Sequence, residues 1–281
     1  MSRIRLYVCC HKETYVPEET LLVPIQVGAA LSAKRFPGFL TDDTGCNISA
    51  QNRSYCELTA QYWAWKNDSA DYVGFFHYRR YLYPQPNVKR AYRLEQLPSP
   101  KLLTQLGYDD FETLITDYDL IAPIGEDMHL SVREHYAAAA FHHPKDLSLA
   151  ERLVQEKYPR FCSAADQYLA GSVCYFGNMY IMRRPVFEDY CAWLFPILKE
   201  FDRLANTSEY SIQEQRVDGY LAERLFGIYY TYQKQQGNLR MLELPRVHFE
   251  PDRNLLQKKK LLAAILPPGT RRRAWIKRLF G

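Results

Sequence analysis

Residues 71–83 (DYVGFFHYRRYLY) constrain the fold of this chain more than any other segment. Residues 73–76 hold three β-forming side chains and no polar one, which is typical of a strand buried on both faces of a sheet. His77, Arg79 and Arg80 follow at once. Ligands of open α/β sheets bind outside the carboxyl ends of the strands, and the planar guanidinium donates to phosphate through two N–H groups. The segment therefore predicts an α/β sheet with a phosphorylated ligand at its edge; arginines that form only surface ion pairs are the alternative.

The composition is that of an enzyme-sized chain with an unusual supply of tyrosine. Of 281 residues, 47% are hydrophobic, which is ample for a core. The 22 tyrosines combine apolar rings with polar tips, which suits a sugar or nucleotide cleft and equally any wet interface.

The cysteines and the N-terminus indicate a cytoplasmic protein. The seven cysteines are an odd number without a CxxC pair, which favours reduced thiols over disulfides or a zinc site. The segment MSRIRLYVCC enters a strand without a leader-like pattern, so secretion is not expected. No apolar run reaches the roughly 18 residues that a membrane span requires.

The basic residues concentrate at the C-terminus. Residues 255–281 contain eight Lys and Arg and no acidic residue, so the net charge of +4 leaves −4 for the remainder. Trp275, Ile276, Leu279 and Phe280 alternate with the last basic residues at near-helical spacing. We interpret residues 1–254 as one domain and 255–281 as a basic amphipathic tail that contacts an anionic membrane surface. A solubilising end and a nucleic-acid contact are the alternatives.

Strand and helix patterns alternate along the chain. Strands are predicted at 5–10, 73–77, 120–123 and 173–182. Helices are predicted from the capping-box spacings Ser54/Glu57, Ser131/Glu134 and Ser148/Glu151, from Pro185 onward, and over 213–232. In this pattern Glu57 is interpreted as a helix cap and not as a catalyst.

Seven sequence blocks occur in an order that resembles one bacterial family. The blocks are HK after the first strand, DDTGCNIS with QN, YCELTAQYWAWKN, GFFHYRRY, GNMYIMRR, YCAWLF and QRVDGYLAERL, and they span about residues 5–250. The family was long catalogued as a domain of unknown function in capsule and O-antigen gene clusters. It is similar to glycosyltransferases of a modified GT-A type, several of which transfer galactofuranose from UDP-galactofuranose.

The resemblance implies a fold, a reaction and partners. The fold is a single Rossmann-like GT-A domain with a mixed sheet. The reaction is inverting transfer of a hexose, best galactofuranose, from a UDP-sugar to a lipid-linked oligosaccharide of capsule, O-antigen or exopolysaccharide synthesis, at the inner face of the cytoplasmic membrane. A different donor such as UDP-galactopyranose, or a non-catalytic sugar-nucleotide or glycan binding protein on this fold, is the alternative. No nucleic-acid partner is expected, because the basic residues do not spread over a folded face.

The position where many GT-A enzymes carry a metal-binding DxD motif holds His77-Tyr78-Arg79-Arg80 instead. A literal DxD, Asp117-Tyr118-Asp119, precedes the strand at 120–123 and belongs to the wrong end of the sheet. We therefore predict neither a metal nor another cofactor, since Arg and His can neutralise a diphosphate. A requirement for Mn²⁺ or Mg²⁺ is the alternative.

Further donor and acceptor contacts are predicted from loops. Lys12 follows the first strand and is a candidate for binding the donor nucleotide or diphosphate. The polar loop of Asn47, Ser49 and Asn52 is a second candidate, although Asn and Ser are also common in turns and caps. Gly177 and Asn178 interrupt a strand and indicate close approach by the acceptor, or a β-bulge.

The catalytic base is sought on the last helix. Asp218 is nearest by order to the carboxylate of inverting GT-A enzymes, and Glu223 lies in the last block. Five residues correspond to about 500° of helical rotation, so the two carboxylates point in different directions. Glu223 pairing with Arg216 or Arg224 is the structural alternative.

Overall fold

The computed structural model describes residues 2–86, 88 and 90–266. Its strands are β1 (Ile4–Cys10), β2 (Leu22–Gln26), β3 (Leu40–Thr41), β4 (Tyr72–His77), β5 (Arg80–Leu82), β6 (Tyr92–Glu95), β7 (Leu120–Pro123), β8 (Glu126–Asp127), β9 (Val173–Cys174), β10 (Tyr180–Arg183), β11 (Met241–Leu244) and β12 (Arg246–Phe249). Its helices are α1 (Asn52–Tyr55), α2 (Leu58–Asn67), α3 (Pro100–Leu106), α4 (Phe111–Thr116), α5 (Val132–Ala138), α6 (Pro144–Lys157), α7 (Cys162–Ala170), α8 (Arg184–Leu204), α9 (Val217–Gln236) and α10 (Arg253–Ile265).

The main sheet is mixed, as predicted. Its strands follow the order β11-β7-β10-β4-β1-β2-β3, and β5, β12 and β6 extend it beyond β4. β1 is parallel to β2 and β4, whereas β10 is antiparallel to both β4 and β7. Therefore β1, β2, β4 and β7 all end at the same edge of the sheet.

Both faces of the central strands are buried. Tyr7 and Phe75 belong to a core that includes residues of α2, α8 and α9. Leu6 and Phe76 lie on the opposite face, in a second core with residues of α3 and α4. The unbroken apolar run before His77 thus forms a strand covered on both sides, as predicted.

The long apolar helix after Pro185 is confirmed. Pro185 lies in the first turn of α8, and the predicted stripe of Phe187, Tyr190, Leu194, Leu198 and Phe201 is buried. None of the helices in the described ranges has the length and apolarity to cross a bilayer.

Of the three predicted capping boxes, one is present. Ser131 and Glu134 cap α5 reciprocally. The box predicted for Ser54 and Glu57 is wrong, because the helix there is broken into α1 and α2 and the Ser54 side chain bonds elsewhere. The box at Ser148 is also wrong, since α6 already begins at Pro144 and Ser148 lies inside it.

The segment predicted as a strand over 173–182 contains a tight turn. Gly177 (φ 96°) and Asn178 (φ 48°) adopt left-handed conformations between β9 and β10. Glycine and asparagine are the residues that tolerate this region best, which explains their presence here.

The beginning of the basic tail is helical and packs on the domain. Asp252 caps α10, Leu256 is buried, and Lys259 forms an ion pair with Glu250 at 2.6 Å. Leu255, Leu261, Leu262 and Ile265 are exposed along the same helix. Residues 267–281, with five of the eight basic residues, lie outside the described residues, so the boundary at 254 stays a prediction.

Candidate active site

A cavity of about 560 Å³ opens at the edge where the parallel strands end. His11 follows β1, Val27 follows β2 and His77 ends β4, and all three line the cavity. The junction of α1 and α2 forms a second wall, and residues 212–216 before α9 form a third. The sheet topology therefore brings the predicted motif into a concave site.

The HYRR motif is a β-hairpin. His77 of β4 pairs with Arg80 of β5, and Tyr78 and Arg79 form its turn. The Tyr78 N–H donates to the Cys9 carbonyl at 3.2 Å, which ties the turn to β1. Arg79 is exposed and lines the cavity, whereas Arg80 is half-buried beside Gly177. The two arginines thus occupy different environments.

His77 is a neutral hydrogen-bond donor in this site. Burial, reinforced by Arg80 and Arg79, lowers the pKa of His77 to about 3. The Arg79 N–H donates to His77 Nδ1 at 3.2 Å, so the imidazole proton resides on Nε2. Burial likewise lowers the pKa of His11, with Lys12 and Arg79 adding to the effect.

The charge of the cavity lining suits a dianion. Arg53, Arg79 and Arg216 contribute three positive charges and Glu57 one negative charge. Since the two histidines are neutral near pH 7, two net positive charges remain. A nucleoside diphosphate ester carries two negative charges, and guanidinium groups bind such oxygens through charge-assisted hydrogen bonds.

Glu57 is the residue that the sequence interpretation missed. Cys56 has φ 52°, a left-handed conformation that interrupts the helix and directs Glu57 into the cavity instead of onto the helix terminus. Asn178 Nδ2 donates to Glu57 Oε1 at 2.8 Å. Burial raises the pKa of the Glu57 carboxyl, against the lowering effect of Asn178. A positive φ at a non-glycine residue such as Cys56 is strained and is often found at functional sites.

Glu223 is held beside the cavity by two strong contacts. Its Oε1 accepts from the Gly177 N–H at 2.6 Å, and its Oε2 accepts from Arg224 Nη1 at 2.8 Å. The Arg224 side chain is only 1% exposed. The sequence offered Arg216 or Arg224 as an ion-pair partner of Glu223, and the structure shows the pair with Arg224.

Asp218 lies inside the protein and does not reach the cavity. It has no accessible surface, its Oδ2 accepts from Ser54 Oγ, and it interacts with Asp202. Burial, with the neighbouring Asp202 charge, raises the pKa of Asp218 well above its usual range. Asp218 and Glu223 do point in different directions, as their spacing predicts.

Of the three candidates in the polar loop at 47–52, one lines the cavity and two do not. Asn52 lines the cavity, with its Nδ2 donating to the Cys56 carbonyl at 2.6 Å. Ser49 is buried and donates to Asp42, and Asn47 closes a turn by donating to the Asp43 carbonyl at 3.1 Å. The side chains of Ser49 and Asn47 thus stabilise the loop and do not line the cavity.

Lys12 and the acceptor candidates lie close to the motif. Lys12 is exposed, with Nζ 5.4 Å from the centre of the Tyr78 ring. Gly177 and Asn178 do not line the cavity; Gly177 binds Glu223, and Asn178 binds Glu57, which does line it. Asn178 is itself 5% exposed, so its side chain orients Glu57 from below the surface.

The DxD sequence lies at the opposite edge of the sheet from His77, as predicted. Asp119 precedes β7 and pairs with Arg183 at 2.9 Å. In the part of the chain that the structure describes, no three His, Cys, Asp or Glu side chains converge as metal ligands do.

Comparison with known proteins identifies the family. The family model described as a domain of unknown function, DUF4422, matches residues 5–235. The apo structure of the bifunctional glycosyltransferase WbbM is similar to this chain, with 32% sequence identity and a TM-score of 0.83 over 88% of this chain. The match covers 45% of the WbbM chain. No curated protein matches significantly.

These matches confirm the expected fold and the resemblance inferred from the seven blocks. The domain is an α/β fold of the GT-A-like kind, and its cavity lies where such folds bind ligands at the strand ends. The chain is therefore a member of the DUF4422 family.

Proposed function

We propose that this protein is a glycosyltransferase that uses a UDP-sugar as donor. The observation that carries the proposal is the cavity at the strand ends, whose net lining charge of +2 complements the two negative charges of a nucleoside diphosphate ester. The fold around this cavity is similar to that of WbbM. This chain matches 45% of the bifunctional WbbM chain, and the similarity of fold supports a transferase activity.

The HYRR hairpin and Arg216 hold the donor diphosphate. Arg79 and Arg216 meet the phosphate oxygens, and neutral His77 donates from Nε2 without adding charge. Such preorganised donors stabilise the charge that develops on the leaving diphosphate. Because the arginines supply the positive charge, the reaction proceeds without a bound metal.

The transferred sugar is a hexose, best galactofuranose, and the anomeric configuration inverts. The family resemblance supports this donor. The acceptor is a lipid-linked oligosaccharide of capsule, O-antigen or exopolysaccharide synthesis, and the enzyme works at the inner face of the cytoplasmic membrane.

The C-terminal segment brings the enzyme to this membrane. Leu255, Leu261, Leu262 and Ile265 form an exposed apolar side of α10, and Lys258 lies beside them. Exposed apolar side chains together with lysine are the pattern of a helix that lies on an anionic leaflet.

A donor and acceptor panel tests the proposal. Purified protein is incubated with UDP-galactofuranose, UDP-galactopyranose or UDP-glucose and synthetic lipid-linked mono- and disaccharides, with product detection by mass spectrometry. We expect one glycosylated product and release of UDP, and the product's anomeric configuration by NMR reports inversion or retention. UDP binding without turnover of any donor would instead support a binding protein. Arg152→Ala, an exposed change on α6, is the control.

A further inference from the structure

Transfer with inversion requires a group that takes the proton from the acceptor hydroxyl. Among the described residues that line the cavity, Glu57 alone is acidic. The two carboxylates expected from the sequence are placed differently, since Asp218 has no accessible surface and Glu223 lies outside the lining.

We propose, on the basis of the transferase function above, that Glu57 is the general base of the reaction and Glu223 a positioning residue. Glu57 reaches the cavity because the left-handed Cys56 breaks the helix in front of it. A strained backbone conformation of this kind is found most often at functional sites.

A chain of buried hydrogen bonds fixes the Glu57 carboxylate. Asn178 Nδ2 donates to Glu57 Oε1 at 2.8 Å and to the Gly219 carbonyl at 3.0 Å. Gln61 Nε2 donates to the Asn178 carbonyl at 2.9 Å. A turn and two helices therefore hold one carboxylate oxygen, and Oε2 is the oxygen that takes the proton.

Glu223 performs a different task. Both of its oxygens are engaged, one with the Gly177 N–H and the other with the buried Arg224. These contacts orient the Gly177–Asn178 turn, which in turn orients Glu57. Removing Glu223 leaves the buried Arg224 without its carboxylate partner, which destabilises the fold, so loss of activity in a Glu223 variant does not by itself indicate catalysis.

The reaction is a direct displacement at the anomeric carbon of the donor sugar. The acceptor O–H bond breaks, its proton passes to Glu57 Oε2, and its oxygen forms a bond to the anomeric carbon. The bond from that carbon to the diphosphate oxygen breaks, and its electron pair leaves with UDP toward Arg79 and His77. The proton on Glu57 is then released to water.

The groups around Glu57 act on its ionisation in opposite directions. Arg80 and Arg216 favour its ionised form, and Glu223 opposes it. Burial raises the pKa of the facing Cys9, Cys56 and Tyr220, so these groups stay uncharged near neutral pH. His11 and His77 have lowered pKa values and gain their positive charge only at acid pH.

The test compares Glu57→Gln with Glu223→Gln, on the UDP-sugar and lipid-linked saccharide that the wild type turns over in the panel above. For Glu57→Gln we expect kcat to fall about 10²- to 10⁴-fold with UDP affinity nearly unchanged. The acid limb of the kcat/KM profile should disappear, and formate should restore part of the rate of Glu57→Ala. Glu223→Gln should lower thermal stability and keep the acid limb in its residual activity. Glu156→Gln, exposed on α6, is the unchanged control.

The outcomes separate the two proposals. A wild type that transfers no sugar contradicts the proposed function itself. An active wild type with undiminished Glu57→Gln turnover, or a Glu57→Gln protein that keeps its acid limb, overturns the role of Glu57 alone. An acid limb lost in Glu223→Gln instead assigns the base to Glu223. Circular dichroism of each variant verifies folding, and formate rescue separates chemistry from structure.

Discussion

The Arg79 N–H donates to His77 Nδ1 at 3.2 Å, and this bond fixes which nitrogen of the imidazole can donate to a ligand. With Nδ1 occupied and the pKa of His77 lowered to about 3, the ring stays neutral and carries its proton on Nε2. The backbone of one motif residue thereby sets the chemistry of another.

Arg79→Ala should weaken UDP binding and slow transfer. Arg79 lines the cavity, and a charge-assisted hydrogen bond contributes about 1.5–3 kcal/mol, or roughly 10- to 150-fold. Calorimetry with UDP and steady-state kinetics measure both effects. Equal behaviour of Arg79→Ala and wild type would remove Arg79 from the donor site.

Chelation should leave activity nearly unchanged. In the proposed site three arginines supply the positive charge that a divalent cation supplies elsewhere. The measurement is the transfer rate after dialysis against EDTA, with and without added Mn²⁺. Activity that vanishes on chelation and returns with Mn²⁺ would show that the arginines do not replace a metal.

Asn178→Asp should move the acid limb of kcat/KM to higher pH. The substitution replaces a donor 2.8 Å from Glu57 Oε1 by a second carboxylate, and like charges raise the pKa of the pair. Asn178→Gly tolerates the same left-handed backbone and only removes the amide donor to Glu57, so the acid limb of its kcat/KM profile should move less than that of Asn178→Asp. Rate profiles between pH 4.5 and 8.5 measure the shift. Identical limbs in all three proteins would mean that Glu57 does not set the profile.

Asp218→Asn should change the pH dependence of stability more than turnover. The folded pKa of Asp218 is raised above its unfolded value of about 3.9, so its stabilisation is complete below that value and is lost as pH rises toward the folded pKa. Asn does not titrate. The difference in the free energy of unfolding between wild type and Asp218→Asn should therefore fall by up to about 1.4 kcal/mol per pH unit as the pH rises through this window. Urea unfolding at several pH values checks the slope. A larger loss of kcat than in Glu57→Gln would restore Asp218 as base.

Deleting residues 267–281 should weaken binding to anionic vesicles. The deletion removes five basic residues, each worth about 1 kcal/mol near such a surface before screening. It spares α10, whose buried Leu256 and Lys259–Glu250 pair belong to the fold. Leu262→Gln with Ile265→Gln should weaken binding further, while turnover of a water-soluble acceptor stays intact. Cosedimentation with phosphatidylglycerol vesicles is the measurement, and undiminished binding in low salt would contradict a membrane role.

The sequence determined the parts of this protein that depend on local pattern. The apolar run before His77 and the run at 120–123 became β4 and β7, because a strand buried on two faces needs apolar side chains on both. The stripe of α8 and the box of Ser131 with Glu134 were likewise readable, since each depends on residues within a few turns of one another.

Only the tertiary structure decided which carboxylate faces the cavity. Ser54 and Glu57 have the spacing of a capping box, yet Ser54 Oγ donates to Asp218, 164 residues away, and Asn178 binds Glu57 across 121 residues. A local cap contributes about 1 kcal/mol, whereas an unsatisfied buried carboxyl group costs more. The long-range partners therefore prevail, and they depend on segments that meet only when the sheet and α9 are packed together.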